Sequence, residues 1–292
     1  MTLFDEKYSL YQNTFEEALN KFYKKLDCKP DILSDSMKYS LQIGGKRIRP
    51  VLMLSVGELI GVSYEKLIDF AVALEFIHTY SLIHDDLPEM DNDDYRRGKP
   101  SNHKVFGVGN AVLAGDGLLN TAYSILFGEC YKGEAYVSAS KFICDSAGIG
   151  GMIAGQSADL LYEKQQKISE EILNFIYENK TAKLITAATV TPSILSGGKY
   201  YSELLSFGRD LGFLFQITDD ILDVEGDFDV LGKSIGKDEK EGKLTSIRLY
   251  GLDGSKLKAD ILTDNCLKIL EGFEGNTDFL RELTYFVRQR VH

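Results

Sequence analysis

Between His84 and Pro100 the chain reads HDDLPEMDNDDYRRGKP, setting Asp85, Asp86, Glu89, Asp91, Asp93 and Asp94 within ten residues and following them with Arg96, Arg97 and Lys99. Carboxylates this close repel one another, so a folded chain must keep them wet or give them shared cations. Hard divalent ions are the natural partners. The run just before them, AVALEFIHTYSLI, brings Ala71, Leu74, Ile77, His78, Ser81, Leu82 and Asp85 onto one side of a helix. The first aspartates are therefore expected at the end of a largely buried helix.

An acidic run standing alone is most often a solvated loop. Here a second acidic element argues against that. In FQITDDILDV, Asp219, Asp220 and Asp223 stand among apolar residues, with Asp219 and Asp223 one helical turn apart. Three carboxylates in an apolar helix are costly unless positive charge lies opposite. Two such elements facing each other would cage Mg²⁺ and a diphosphate, because Mg²⁺ takes a few carboxylates plus phosphate oxygens and water. An EF-hand reading of DNDD fails, since Arg96 stands where the loop glycine belongs and Asn102 where the bidentate glutamate belongs.

At 292 residues with five prolines, no linker and no fixed repeat, residues 1–292 are expected to form a single domain. A net charge of -11 disfavours nucleic acid as a partner. Cys28, Cys130, Cys144 and Cys266 make no CxxC pair, so reduced thiols and a cytoplasmic location are expected. The start, MTLFDEKYS, has no apolar signal core, and no run is expected to span a bilayer, so no integral membrane association is expected.

Helical periodicity runs through the chain. Phe4, Tyr8, Tyr11, Phe15, Leu19, Phe22 and Leu26 mark an amphipathic helix over 3–26, and a second over 32–43 is closed by Gly44 and Gly45. The glycine turn opens GGKRIRP, where Lys46 and Arg49 converge on an anion or simply lie on a solvated loop. Residues 101–128 read as a loop entering a helix of small residues. Helices follow over 135–147 and 152–164, the latter holding Gly155, Gln156 and Asp159, which read as a supporting polar cluster outside the expected site. A helix over 170–189 carries Lys180 and Thr181 between Ile176 and Leu184, an apolar setting in which the lysine either snorkels or works. The helix over 208–224 carries Gln216 one turn before Asp220; a stretch rich in glycine and charge and two last helices complete the chain. Convincing strand alternation is absent, so the fold class is all-α.

DDLPEMDNDDYRRGKP resembles the first aspartate-rich motif of the polyprenyl synthases, FQITDDILD their second, and GGKRIRP their isopentenyl diphosphate motif. The resemblance runs in order from about residue 30 to the C-terminus, and the three motifs together are far more specific than either DDxxD alone. It implies the isoprenoid synthase fold, a helical bundle around a central cavity, in a homodimer. It also implies an Mg²⁺-dependent prenyltransferase that joins isopentenyl diphosphate to an allylic diphosphate, with three ions when substrate is bound. The metal ligands it implies are Asp85, Asp86, Asp91, Asp219, Asp220 and Asp223. Arg96, Lys180 and Lys233 add catalytic charge; Lys46, Arg49, His78 and Arg97 hold isopentenyl diphosphate; Arg96, Lys180, Thr181, Gln216, Lys233 and Lys243 hold the allylic diphosphate. Ser234 and Leu244 depart from the residues usual after the two loop lysines. Pro88 prevents Asp85 and Asp91 from sharing a regular helix face. Glu89, at i+4, is the competing ligand, and the family's longer motif favours Asp91.

Tyr80 precedes Asp85 by five residues, about 7.5 Å along a helix, where a ring blocks a growing chain or merely packs. By the resemblance, an aromatic there with the DDLPxMD form accompanies a fifteen-carbon product, farnesyl diphosphate. A geranylgeranyl diphosphate synthase shares nearly every motif and is the alternative. A terpene cyclase has no use for GGKRIRP, and a non-catalytic regulatory subunit is expected to lack one of the two acidic motifs, both of which are present.

Overall fold

The computed structural model describes residues 2–163, 165, 169–225 and 242–289. Lys233, Ser234, Lys237 and Lys240 lie outside the described residues. The first half contains helices α1 (Leu3–Tyr23), α2 (Asp31–Gln42), α3 (Ile48–Ile60), α4 (Tyr64–Asp85), α5 (Asn102–Phe106), α6 (Val108–Glu129) and α7 (Glu134–Ala147). The second contains α8 (Met152–Tyr162), α9 (Glu170–Ile176), a π turn (Tyr177–Ala182), α10 (Lys183–Leu195), α11 (Tyr201–Glu225), α12 (Ser246–Leu270) and α13 (Asp278–Arg288). Strand pairing among the described residues is confined to Tyr95–Arg96 against Lys99–Pro100. The all-α reading holds.

α1 begins in a reciprocal cap, with the Asp5 N–H donating to Thr2 and the Thr2 N–H donating to Asp5. Its apolar side buries Tyr11, Phe15, Leu19 and Phe22. α4 is buried nearly all round, from Leu67 through Ile83, which makes it the helix the others pack upon. By length and composition α4 is also apolar enough to cross a bilayer, correcting the expectation that no run is. Within this fold 67% of that apolar window is covered by protein, so neighbouring helices take the place lipid would occupy. α6 lies along α4 through Ala111, Ala114, Gly115 and Ala122, whose small side chains permit close approach.

On the other side α11 packs between α10 and α12. The helix expected over 170–189, broken in composition by ENKTAKLI, carries its π turn at that stretch, where one turn widens and Lys180 and Thr181 line the same cavity. α8 meets this turn through Gly155, where a Cβ would stand 2.1 Å from the Lys180 backbone nitrogen. Only glycine allows that contact. α13 closes the bundle against α1, stacking Phe279 on Phe4 with ring centroids 5.2 Å apart.

Candidate active site

α4 ends where Pro88 requires. Asp85 is its last residue, Asp86 caps it, and the chain then turns back so that the Asp91 N–H donates to the Asp85 carbonyl at 2.9 Å. Asp85 from α4 and Asp219 from α11 line one cavity of about 600 Å³, together with Arg49, His78, Tyr80, Lys180, Thr181 and Gln216. Leu82, Met90, Leu119, Met152, Leu184 and Phe215 supply much of its apolar wall. A smaller adjoining hollow shares Lys180, Thr181 and Gln216 and adds Asp159, Asp220 and Lys243.

The second aspartate of each pair turns away from the larger cavity. Asp86 is 2% exposed and pairs with Arg96 through Nε at 3.0 Å and through Nη2. Burial pushes its carboxyl up to about 6, against the opposing pull of the Arg96 guanidinium. Burial works against the charge on Arg96, but Asp86, Asp85 and Asp93 outweigh it and hold the guanidinium firmly protonated. Arg96 lies with Asp86 and Arg97 in a separate small hollow rather than in the main cavity. The turn of the antiparallel pair fixes it there, since Arg97 and Gly98 both adopt left-handed backbone.

Asp220, also 2% exposed, accepts hydrogen bonds from three neutral donors. The Tyr177 hydroxyl donates to Oδ2, the Ser246 N–H at the start of α12 donates to Oδ2 at 2.7 Å, and the Gln216 amide donates to Oδ1 at 3.1 Å. Thr181 in turn donates to Gln216 Oε1 at 2.7 Å, so a chain of hydrogen bonds links the π turn to α11 and α12. Burial, then the Asp220 charge, pushes the Tyr177 phenol far above its ordinary range, keeping it a donor. Asp223 is buried and lines neither hollow.

Asp91 stands 2.9 Å from the Lys243 ammonium, while Glu89 is exposed. Lys180 pairs with Asp159 at 2.6 Å. Burial opposes its charge, but Asp85 and Asp159 together raise its pKa. Gln156 donates to Asp85 Oδ1. Gln156 and Asp159, read as a polar cluster that supports the site residues and not counted among them, do contact them, Gln156 through Asp85 and Asp159 through Lys180. Tyr177 gave no signal in the sequence.

Arg49 and His78 line the cavity, but Lys46 does not: its ammonium lies 5.3 Å over the Phe286 ring of α13. Arg47, which lies between them in sequence, is buried and bound to Glu16 and Glu75. Burial lowers the pKa of His78 well below its ordinary value, and Arg49, Arg97, Arg96 and Arg47 push it the same way, so its imidazole is neutral. Tyr80 meets His84 edge-on at 5.7 Å, inside the cavity. Among the described residues, no three carboxylate, imidazole or thiol groups lie close enough to hold a metal ion by themselves.

A family model described as Polyprenyl synthetase matches residues 30–274. The chain belongs to the polyprenyl synthetase family. This is a family of trans-prenyltransferases. The chain is 42% identical over 286 residues to a farnesyl diphosphate synthase of Bacillus subtilis (strain 168), spanning 96% of each. It is 44% identical over 250 residues to a chloroplastic geranylgeranyl pyrophosphate synthase of Capsicum annuum, covering 84% of this chain and 68% of that one. The solved geranyltransferase of Helicobacter pylori, complexed with magnesium and isoprenyl diphosphate, superposes with a TM-score of 0.80 at 30% identity, over 94% of this chain and 95% of that one. Polyprenyl synthetases and this chain thus share the helical isoprenoid synthase fold.

Proposed function

We propose that this chain condenses isopentenyl diphosphate with geranyl diphosphate, or twice in succession starting from dimethylallyl diphosphate, giving farnesyl diphosphate and releasing one diphosphate at each condensation. The observation that carries the reading is that Asp85 and Asp219, 134 residues apart, line one largely apolar cavity together with Lys180, Arg49 and His78. Carboxylates lining an apolar space, with metal ions between, suit a ligand with a polyanionic head and a hydrocarbon tail.

The residues fit Mg²⁺. That ion is ordinarily held by one or two carboxylates plus phosphate oxygens, so a cage of three protein carboxylates is not required; Asp85 and Asp219, which line the cavity, would hold it, with Asp91, paired with Lys243, as a further candidate. Magnesium bound there supplies charge that stabilises diphosphate as a leaving group. Lys180, kept charged by Asp85 and Asp159, adds a fixed cation beside the same oxygens, and Lys243 adds another from the smaller hollow. The C–O bond of the allylic substrate breaks; its electrons leave with diphosphate. The neutral imidazole of His78 and the Arg49 guanidinium hold the second diphosphate, so that the isopentenyl double bond meets the allylic carbon and a new C–C bond forms. No side chain lining the cavity is placed as a strong base, and the released diphosphate takes the proton lost in restoring the double bond. Thr181 and Gln216, hydrogen-bonded to each other, line the same space and lie beside the allylic substrate.

Tyr80 supports a fifteen-carbon product because its ring lines the cavity from α4, five residues back from Asp85. Geranylgeranyl diphosphate is the second reading, favoured by the similarity to the Capsicum annuum enzyme. The same fold and apolar residues exposed on α6 and α8, among them Val112, Leu113, Ile153 and Leu161, support a homodimer. Incubation of the protein with labelled isopentenyl diphosphate and each allylic primer, with Mg²⁺ or with EDTA, tests the reading. A fifteen-carbon product formed only with metal is expected. Absence of any condensation product with every primer overturns the reading, and a twenty-carbon main product replaces farnesyl with geranylgeranyl. In the Tyr80→Ala variant the products lengthen; an unchanged length removes Tyr80 as the stop.

A further inference from the structure

One face of α1 holds the basic loop residue by residue. Tyr8, Gln12 and Glu16 are spaced by four and so line up along the helix. The Tyr8 hydroxyl donates to the Lys46 carbonyl at 2.5 Å, the Gln12 amide donates to the Gly45 carbonyl at 3.3 Å, and Glu16 accepts from Arg47 Nε at 2.7 Å. Three successive loop residues are thus fixed by three successive turns of one helix.

That stretch of backbone needs holding. Gly44, Gly45 and Arg47 have φ of 82°, 135° and 51°, values that side chains disfavour and that persist only where surrounding contacts impose them. At Gly45 a Cβ would stand 2.4 Å from the Arg97 guanidinium carbon, so the turn is also pressed against the hairpin. Arg47, 3% exposed, completes the lock through Glu75 at 2.9 Å and the Leu41 carbonyl at 2.6 Å. Arg49 leaves this turn two residues later, in the first turn of α3, and enters the cavity. Its direction is set by the turn before it.

We propose that Tyr8, Gln12 and Glu16 are positioning residues for the isopentenyl diphosphate site: they hold Gly45–Arg47 in its left-handed turn and thereby aim Arg49 at the ligand. The inference rests on the proposed role of Arg49. α1 lies outside the matched residues 30–274, so the family match assigns it nothing.

The test compares full-length Tyr8→Phe, Gln12→Ala and Arg49→Ala, with Asn13→Ala on the exposed side of α1 as the control. For each, KM for isopentenyl diphosphate, KM for geranyl diphosphate, kcat and Tm are measured. Removing one neutral hydrogen bond is expected to raise KM for isopentenyl diphosphate about fivefold in Tyr8→Phe and about threefold in Gln12→Ala. KM for geranyl diphosphate, kcat and the control stay unchanged. Equal shifts in both KM values, or a fall in Tm with both KM values unmoved, overturn the proposal by reducing α1 to a packing element. A raised KM in Arg49→Ala without one in Tyr8→Phe or Gln12→Ala overturns it while leaving the site reading intact. An unchanged KM in Arg49→Ala removes the site reading and the proposal together.

Discussion

The chain contains two doubled aspartates, Asp85–Asp86 at the end of α4 and Asp219–Asp220 within α11, and they divide their work in the same way by different means. In each, the first carboxylate faces the cavity and the second is buried and bound by protein. Asp86 is held by a charge, the guanidinium of Arg96. Asp220 is held by a phenol, a backbone N–H and an amide. The difference follows from place. α4 has ended at Asp85, so the hairpin that follows can bring an arginine round; Asp220 sits in mid-helix, where the neighbours are the π turn and the first N–H of α12, an end of a helix that favours negative charge. In each doubled aspartate one carboxylate thus faces the cavity and the other is buried against protein donors. Asp86 and Asp220 are thereby tied to protein donors, while Asp85 and Asp219 line the cavity.

The sharpest way to break the comparison is to remove charge from each member in turn. Asp85→Asn and Asp219→Asn are expected to lower kcat about a thousandfold, the scale of losing one group that stabilises transition-state charge. Their Tm stays within a few degrees of the parent. Steady-state kinetics beside thermal melts reads both. If Asp86→Asn or Asp220→Asn loses as much activity with an undisturbed melt, the second aspartates act on substrate and the division fails.

The next effect is on stability. Breaking a buried pair by removing one partner costs about 3–5 kcal/mol, and Asp86→Asn belongs at the low end because a quarter of the Arg96 side chain is exposed. Denaturant titration reads the loss. Asp86→Leu with Arg96→Met is expected to recover most of it, since no charge is left stranded. Failure of the double variant to recover stability would mean that Arg96 has a second, unshared task in the fold.

Tyr177→Phe should cost less, about 1–2 kcal/mol, because a neutral donor is lost while the Ser246 N–H and Gln216 still hold Asp220. Its activity falls less than in Asp219→Asn. A fall as deep as that of Asp219→Asn would make Tyr177 part of the reacting site rather than a support for it.

The helices, the acidic pairs and the facing of Asp85 and Asp219 were legible because apolar periodicity and carboxylate density survive in one dimension. Which member of each pair faces inward was not. Neighbours on a helix differ by about a third of a turn, and the choice depends on a donor distant in sequence: Arg96 across a hairpin for Asp86, and Tyr177 and Ser246 across two other helices for Asp220. The same holds for Lys46 and Arg49. Their spacing suggested convergence, but Phe286, 240 residues away, takes the Lys46 ammonium. Gln156 and Asp159 were visible as a motif, yet their contact with Asp85 and Lys180 depends on Gly155 letting α8 reach the π turn.

The smallest effect separates the two anchors by their physics. A charge pair open to water on one side weakens as salt shortens the Debye length from about 10 Å at 0.1 M to about 3 Å at 1 M, whereas a buried hydrogen bond from a neutral phenol does not. The coupling energy between Asp86 and Arg96, from a double-mutant cycle with Asp86→Asn and Arg96→Met, is expected to fall by about 0.3 kcal/mol over that range. The corresponding coupling between Tyr177 and Asp220, from Tyr177→Phe and Asp220→Asn, should hold steady because the phenol stays protonated beside the carboxylate. Equal salt dependence in the two cycles would mean that Asp220 is held mainly by net charge from its surroundings, and the contrast between a charged and a neutral anchor would be lost.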